Sequence, residues 1–191
     1  MLDYIIPSKA RREIMGLFFQ NSNQSYHLRR VSREVNQEIN AVKRELDILE
    51  KAKVLTKEKR LNKSVYTLNQ TWSLYDEFLR IFAKETTIVK SLLKNKAKLG
   101  KLHYIAMSLK LAKKESISVS EVYMLFVGVV VAPEVQKIVN SVEKEYPFEI
   151  NYTIMTKEEF VYRKKQKDPF IWGFLKEPKI MIVGSEAQLM V

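Results

Sequence analysis

Cysteine is absent from this chain of 191 residues. That excludes disulfides, thiolate metal ligands and thiol nucleophiles together, so no redox switch or cysteine-centred catalytic site can be built from it. Histidine is nearly as scarce, with only His27 and His103, far apart in sequence. A histidine-only metal site is not expected, and His103 reads as a packed or surface residue before it reads as a general base. Glycine occurs five times. No P-loop, no dinucleotide-binding run and no Gly-x-Ser-x-Gly turn can be assembled from those five. Long apolar runs are missing too: none approaches the roughly 20 residues that cross a bilayer. The opening Met1-Leu2-Asp3-Tyr4-Ile5-Ile6-Pro7 lacks the basic segment of a signal peptide. A cytoplasmic protein is expected, with no cofactor, no resident metal and no membrane partner.

What is abundant is positive charge. The net charge is +11, from 33 basic and 22 acidic residues, and 46% of the chain is hydrophobic, enough for a real core in one or two domains. Residues 1 to 69 carry 14 basic and 8 acidic groups, and residues 70 to 191 carry the other 19 and 14. Within the second part, Lys84 to Lys114 holds nine lysines against Glu85 alone. Such a patch favours a polyanion, although a solvated helix face is the commoner explanation for any single lysine run.

Residues 26 to 69 carry the sharpest pattern. From His27 to Asn36, Leu28, Val31 and Val35 recur at spacings of three and four, leaving Arg29, Arg30 and Arg33 for water. A second helix is expected from Glu38 to Lys51, with Ile39, Val42, Leu46 and Leu49 as its buried stripe and Asn40, Lys43, Arg44 and Asp47 opposite. Asn36 and Gln37 form the tight corner, Asn36 as the cap of the second helix. Then Val54-Leu55-Thr56 and Ser64-Val65-Tyr66-Thr67-Leu68 flank Lys57 to Lys63, which reads as a hairpin with a basic tip. Ser8 caps a preceding helix containing Ile14, Leu17 and Phe18, completing a three-helix core.

Two helices and a charged hairpin form the layout of a winged helix-turn-helix, whose second helix fits the major groove of DNA. Gln37, Asn40 and Arg44 have the amide and guanidinium groups that pair bidentately with adenine or guanine. Lys43, Lys57, Lys59, Arg60 and Lys63 are placed to contact phosphates or the minor groove. The competing readings are a module that binds protein, and ordinary core elements with solvated charges.

Beyond the hairpin one long amphipathic helix is expected from Ser73 to Lys98, ended by Gly100, either joining domains and building dimer contacts or packing within one subunit. Leu102 to Met107, Val122 to Val131, Phe148 to Met155 and Lys179 to Val183 read as strands. Pro133 to Glu145, Lys157 to Lys165 behind a Thr156 cap, and a short segment after Asp168-Pro169 read as helices. The expected fold class is α+β: residues 1-70 as the DNA-binding module, 71-100 as a linking helix, 101-191 as an α/β domain.

Tyr26-His27-Leu28-Arg29-Arg30-Val31 and the run Val42 to Leu55 resemble the ArsR-type winged-helix repressors of bacteria and archaea, over about residues 8 to 70. Lys53 stands where that family usually has glycine. The resemblance implies a sequence-specific, double-stranded DNA-binding regulator, expected as a repressor and as a homodimer.

Met124-Leu125-Phe126-Val127-Gly128, Thr156-Lys157-Glu158-Glu159-Phe160 with Arg163, and Asp168-Pro169-Phe170 leading to Glu177 through Gly184 resemble the nucleotidyltransferase-like domain that follows such a module in some prokaryotic proteins, over about residues 101 to 187. Active members use a Gly-Ser turn and an Asp-x-Asp pair with a third acid to hold two Mg²⁺ and a nucleoside triphosphate. Here those places fall on Met107-Ser108, Glu121-Val122-Tyr123, and Glu149 or Asn151. A phenol cannot replace a carboxylate, so the resemblance implies a pseudoenzyme, which either binds a nucleotide without turning it over or only supports dimerisation. The alternatives are a divergent nucleotidyltransferase using Glu121 and Glu149, and a non-specific architectural DNA-binding protein.

Overall fold

The computed structural model describes residues 2–60 and 62–190, a mixture of helix and strand in two compact units that divide between Phe82 and Ala83.

The first unit opens with a single helical turn, α1 (Leu2–Ile5), and α2 (Lys9–Gln20). Ser8 caps α2 as its sequence suggests, its hydroxyl accepting from Arg11 N at 3.2 Å. β1 (Ser25–His27) leads into α3 (Leu28–Glu34), and α4 (Ile39–Lys51) follows a tight corner. β2 (Leu55–Arg60) and β3 (Lys63–Leu68) form an antiparallel hairpin, and β1 adds to β3 as a third strand, in the order β1-β3-β2. α5 (Tyr75–Ala83) closes the unit. Ile14, Phe18, Val31, Val42 and Leu46 are fully buried at the centre of the helices. Phe19 reaches from α2 to α5, stacking on Phe82 at 5.2 Å between ring centroids.

Several expectations are corrected here. The cap of α4 is Glu38, whose carboxylate accepts from Asn40 N and Ala41 N; Asn36 instead takes the left-handed conformation, φ 47°, that turns the corner. Ile39, expected in the buried stripe, lies in the first turn of α4 and is 38% exposed. The hairpin pairs as far as Arg60 with Lys63, so the basic residues lie on its strands rather than on a seven-residue tip; Leu61 is outside the described residues. The end of α4 is closed by Lys53 at φ 59°, with Lys53 N donating to Glu50 O and Val54 N to Leu49 O. That is the hydrogen-bond pattern a glycine ordinarily supplies, completed by the apolar contact positions Val54 and Leu49, both buried.

The single helix expected from Ser73 to Lys98 is two. α5 stops at Ala83, and α6 (Thr87–Lys94) starts after Thr86, which is extended and buried, its hydroxyl donating to Ala83 O at 2.7 Å. A 3-10 turn, Lys96–Lys98, follows.

The second unit holds a four-stranded sheet in the order β6-β5-β4-β7. β4 (Gly100–Ser108) runs into the short α7 (Leu109–Ala112); β5 (Met124–Val130) precedes α8 (Ala132–Val142), and β6 (Tyr152–Met155) precedes α9 (Lys157–Lys165), α10 (Pro169–Lys176), β7 (Lys179–Val183) and α11 (Glu186–Met190). β4 is antiparallel to β5 and β7, and β5 is parallel to β6. Alternation sends Ala106, Leu125, Val127 and Met155 to one face, where they pack with Phe160, Ile171 and Leu175. Ile105, Met107, Met124 and Phe126 are buried on the other, and α6 and α8, which pack together, turn Ile88, Leu92, Val135 and Val139 inward. Gly128, at φ 144°, faces a bulge in β4 between Leu102 and Tyr104; a Cβ there would collide with the Lys101 carbonyl.

Candidate functional site

In the first unit, α4 and the hairpin present one charged surface. Val42, Leu46 and Leu49 are buried, which turns Asn40, Lys43 and Arg44 outward on one side of the helix. α4 is fixed against α2 by Glu45, which accepts from Ser8 Oγ at 2.6 Å and from Arg11 Nε at 2.7 Å. Burial pushes the Glu45 carboxyl up, but these two hydrogen bonds outweigh it and hold the group below its ordinary range.

Gln37, expected to read bases, is otherwise engaged: its amide nitrogen donates to Glu13 Oε2 at 2.8 Å, tying the corner to α2. Lys57 is engaged too. Its ammonium lies 3.2 Å from Glu50 and 3.8 Å from Asp47 on α4, over the Tyr66 ring, and the hydrogen bond to Glu50 holds the amine above its usual range. Lys57 therefore braces the hairpin against α4. Lys59, Arg60 and Lys63 are exposed, Arg60 pairing with Glu58 at 3.0 Å on the same strand. Such an exposed pair is worth little and is easily exchanged for another anion. Glu38 satisfies the first amides of α4, and the outward cations of the helix lie about one turn further on, at Lys43 and Arg44.

Two residues of this surface are additional to those named from the sequence. His27 and Arg29, at the junction of β1 and α3, line a notch with Lys43, Lys57 and Lys63. The signal lay in Tyr26-His27-Leu28-Arg29, where a strand of only three residues brings the start of α3 beside the hairpin.

In the second unit, Ser108 is buried and caps α7, accepting from Lys110 N at 3.2 Å. Glu121 accepts from Ser118 N at 3.0 Å and from Lys110 Nζ at 3.2 Å, and the Ser118 amide and then the ammonium hold it below the ordinary carboxylate range. Lys110 is also 3.7 Å from Glu177. Tyr123 is buried, stacked on Phe148 at 4.8 Å, and its hydroxyl donates to Glu115 O at 2.9 Å. Glu121 and Glu149 border one open cleft of about 670 Å³, with Glu143 and Asn151. A second cleft of about 730 Å³ runs from Lys110 and Glu121 to Phe170 and Phe174. Among the described residues no group of three or more His, Asp or Glu side chains is arranged to hold a metal ion.

The lysine run divides. Lys84, Lys90, Lys94, Lys96, Lys98 and Lys101 are exposed, Lys90 pairing with Glu85 at 3.0 Å, whereas Lys110 serves the two glutamates and Lys114 lies over the Tyr146 ring. Among the described residues no helix is long and apolar enough to cross a membrane. Comparison of the chain with protein-family models, with curated proteins and with solved structures gave no match.

Proposed function

We propose that this chain is a cytoplasmic, sequence-specific double-stranded DNA-binding regulator, a homodimer and a repressor, built from a winged helix-turn-helix of the ArsR type and a nucleotidyltransferase-like domain that has lost catalysis. The observation that carries the reading is the outward face of α4, where Asn40, Lys43 and Arg44 lie exposed beside a hairpin bearing Lys59, Arg60 and Lys63. A helix presenting amide and guanidinium groups fits the major groove and can read base edges there, while the hairpin cations neutralise phosphates. The engagement of Gln37 and Lys57 concentrates base reading on Asn40 and Arg44.

Selection of retained sequences from a random duplex pool, by the whole protein at near-physiological salt, tests this. An enriched palindrome is expected. Retention without enrichment indicates architectural binding, and no retention removes the DNA-binding reading.

A second reading, a divergent nucleotidyltransferase, is favoured by one observation: Glu121 and Glu149 border the same cleft. Label transfer from a nucleoside triphosphate that disappears in Glu121→Gln is its test.

A further inference from the structure

The notch beside α4 has a volume of about 460 Å³. It is concave, and its walls come from three places: His27, Leu28 and Arg29 from the β1–α3 junction, Lys43 and Asp47 from α4, and Lys57, Lys63, Ser64 and Tyr66 from the hairpin. Asp47 and Glu50 hold Lys57, whereas Arg29, Lys43 and Lys63 have no ion pair among the described residues. The His27 ring contributes polarity of a definite sense. Its Nδ1 accepts from Arg30 N at 3.2 Å, so in the neutral ring the hydrogen sits on Nε2 and makes that nitrogen a donor. Ser64 adds a hydroxyl. Three cations, an imidazole N–H and a hydroxyl around one small volume suit an occupant that is anionic and rich in acceptor oxygens. Leu28 and Tyr66 add apolar wall, so it is the unpaired cations rather than the whole lining that set the preference for an anion, and a carboxylate leaves donors unused.

We infer that this notch seats a single phosphate group of a DNA strand, gripped jointly by Arg29, Lys43 and Lys63 with the His27 Nε2–H and the Ser64 hydroxyl as further donors, an inference that rests on the DNA-binding reading above. The seat positions rather than reads: it fixes the depth and register at which α4 enters the groove. A joint grip on one phosphate has a signature that separate contacts lack. Each phosphate neutralised contributes about one unit to the slope of log K against log salt. Arg29→Ala and Lys63→Ala should each lower that slope, and the double variant should lower it by about one unit in all, not two.

The experiment is fluorescence anisotropy of the whole protein on a labelled 30-bp duplex from about 50 to 300 mM salt. Each single variant is expected to weaken binding several-fold and equally on all sequences, with the double variant adding little. His27→Asp keeps an acceptor for the Arg30 amide but puts a carboxylate in the seat; it is expected to weaken binding by ten-fold or more with an unchanged circular dichroism spectrum. Binding by the natural chain with slopes unchanged in all variants, or a loss of two units in the double variant, overturns the seat and leaves the DNA-binding reading standing. Absence of binding by the natural chain overturns both. A titration with inorganic phosphate, followed through the His27 ring protons, separates the sources. Saturating shifts that vanish in Arg29→Ala show that a free phosphate is also taken, and shifts on duplex alone show that the phosphodiester is required; shifts on neither overturn the seat.

Discussion

Lys53 holds φ at 59° where α4 hands the chain over to β2. A side chain in that conformation brings Cβ against the following carbonyl at a cost of about 1–2 kcal/mol, which glycine escapes. The remaining features of the cap are backbone bonds and a hydrogen bond from Asn69 Nδ2 to Lys53 O at 2.8 Å, none of which needs the lysine side chain. Lys53→Gly should therefore stabilise the first unit by about 0.5–1 kcal/mol once the freer unfolded chain is counted, a rise of a few degrees in its thermal midpoint. A fall in the midpoint would show that Lys53 has a contact worth more than the strain. Arg44 belongs to the same scale. On the proposed function, Arg44→Ala should cost about 1–3 kcal/mol on a selected duplex and less on a random one, as the loss of a base-reading group does. Equal losses in paired anisotropy titrations would reduce Arg44 to a phosphate contact. The outward placement of Asn40, Lys43 and Arg44 was legible in the sequence because three apolar residues at helical spacing dictate which side is dry. The engagement of Gln37 with Glu13 was not, because the partner is 24 residues away and nothing in the local pattern joins them.

At the scale of elements, α2 and α4 are joined by Ser8, Arg11 and Glu45 around a carboxylate that is 14% exposed. Glu45→Gln removes the charge that these donors serve, at an expected cost of about 1–2 kcal/mol. The carboxyl is held below its ordinary value of 4.5, so its contribution is present above the carboxylate range and is lost as pH falls through the lowered folded value. The difference in urea midpoint between the natural chain and Glu45→Gln should be constant near neutral pH and close in acid; a gap independent of pH would mean that shape, not charge, holds the helices. The hairpin offers a comparison of two lysines on one strand. Lys57 is matched by Glu50 and Asp47, so Lys57→Ala should change the salt dependence of DNA binding less than Lys59→Ala, and the reverse order would place Lys57 on the phosphates. Most helices and strands were legible because periods of 3.6 and 2 separate cleanly in this chain. β1 was not: three residues are too few to show alternation. The break between α5 and α6 was hidden as well, since Lys84-Glu85-Thr86 contains no glycine or proline and Phe82 and Val89 keep helical phase across it. A buried threonine hydroxyl ends that helix, and a hydroxyl bonding within its own turn leaves no mark in a periodicity.

On the scale of the whole molecule, an excess of 11 positive charges spread over both units opposes association of two copies unless a polyanion or a dedicated interface offsets it. The proposed homodimer requires such an interface, and with one it should appear as twice the monomer mass in light scattering. Its selected sites should repeat at about 10 bp, because two-fold pairing sets recognition helices in successive grooves. A monomer retaining unpaired half-sites would refute the pairing. The proposed loss of catalysis depends on three places in the second unit. Phosphoryl transfer with two cations needs several oxygen ligands around them. At the second place of the acidic pair, Tyr123 is buried with its hydroxyl donating to Glu115 O, so it supplies neither charge nor access. At the first, Glu121 already has the Lys110 ammonium 3.2 Å away, a cation supplied by the chain itself. At the turn, Ser108 is buried at 5% exposure, its hydroxyl oxygen accepting from Lys110 N at the start of α7, where no glycine opens the backbone to a phosphate. Incubation with labelled nucleoside triphosphates, Mg²⁺ or Mn²⁺ and cell extract should accordingly give no more transfer than extract alone. Transfer by the natural chain that is lost in Glu121→Gln would mean that Lys110 can be displaced and that two carboxylates suffice, and the nucleotidyltransferase reading would then replace the pseudoenzyme.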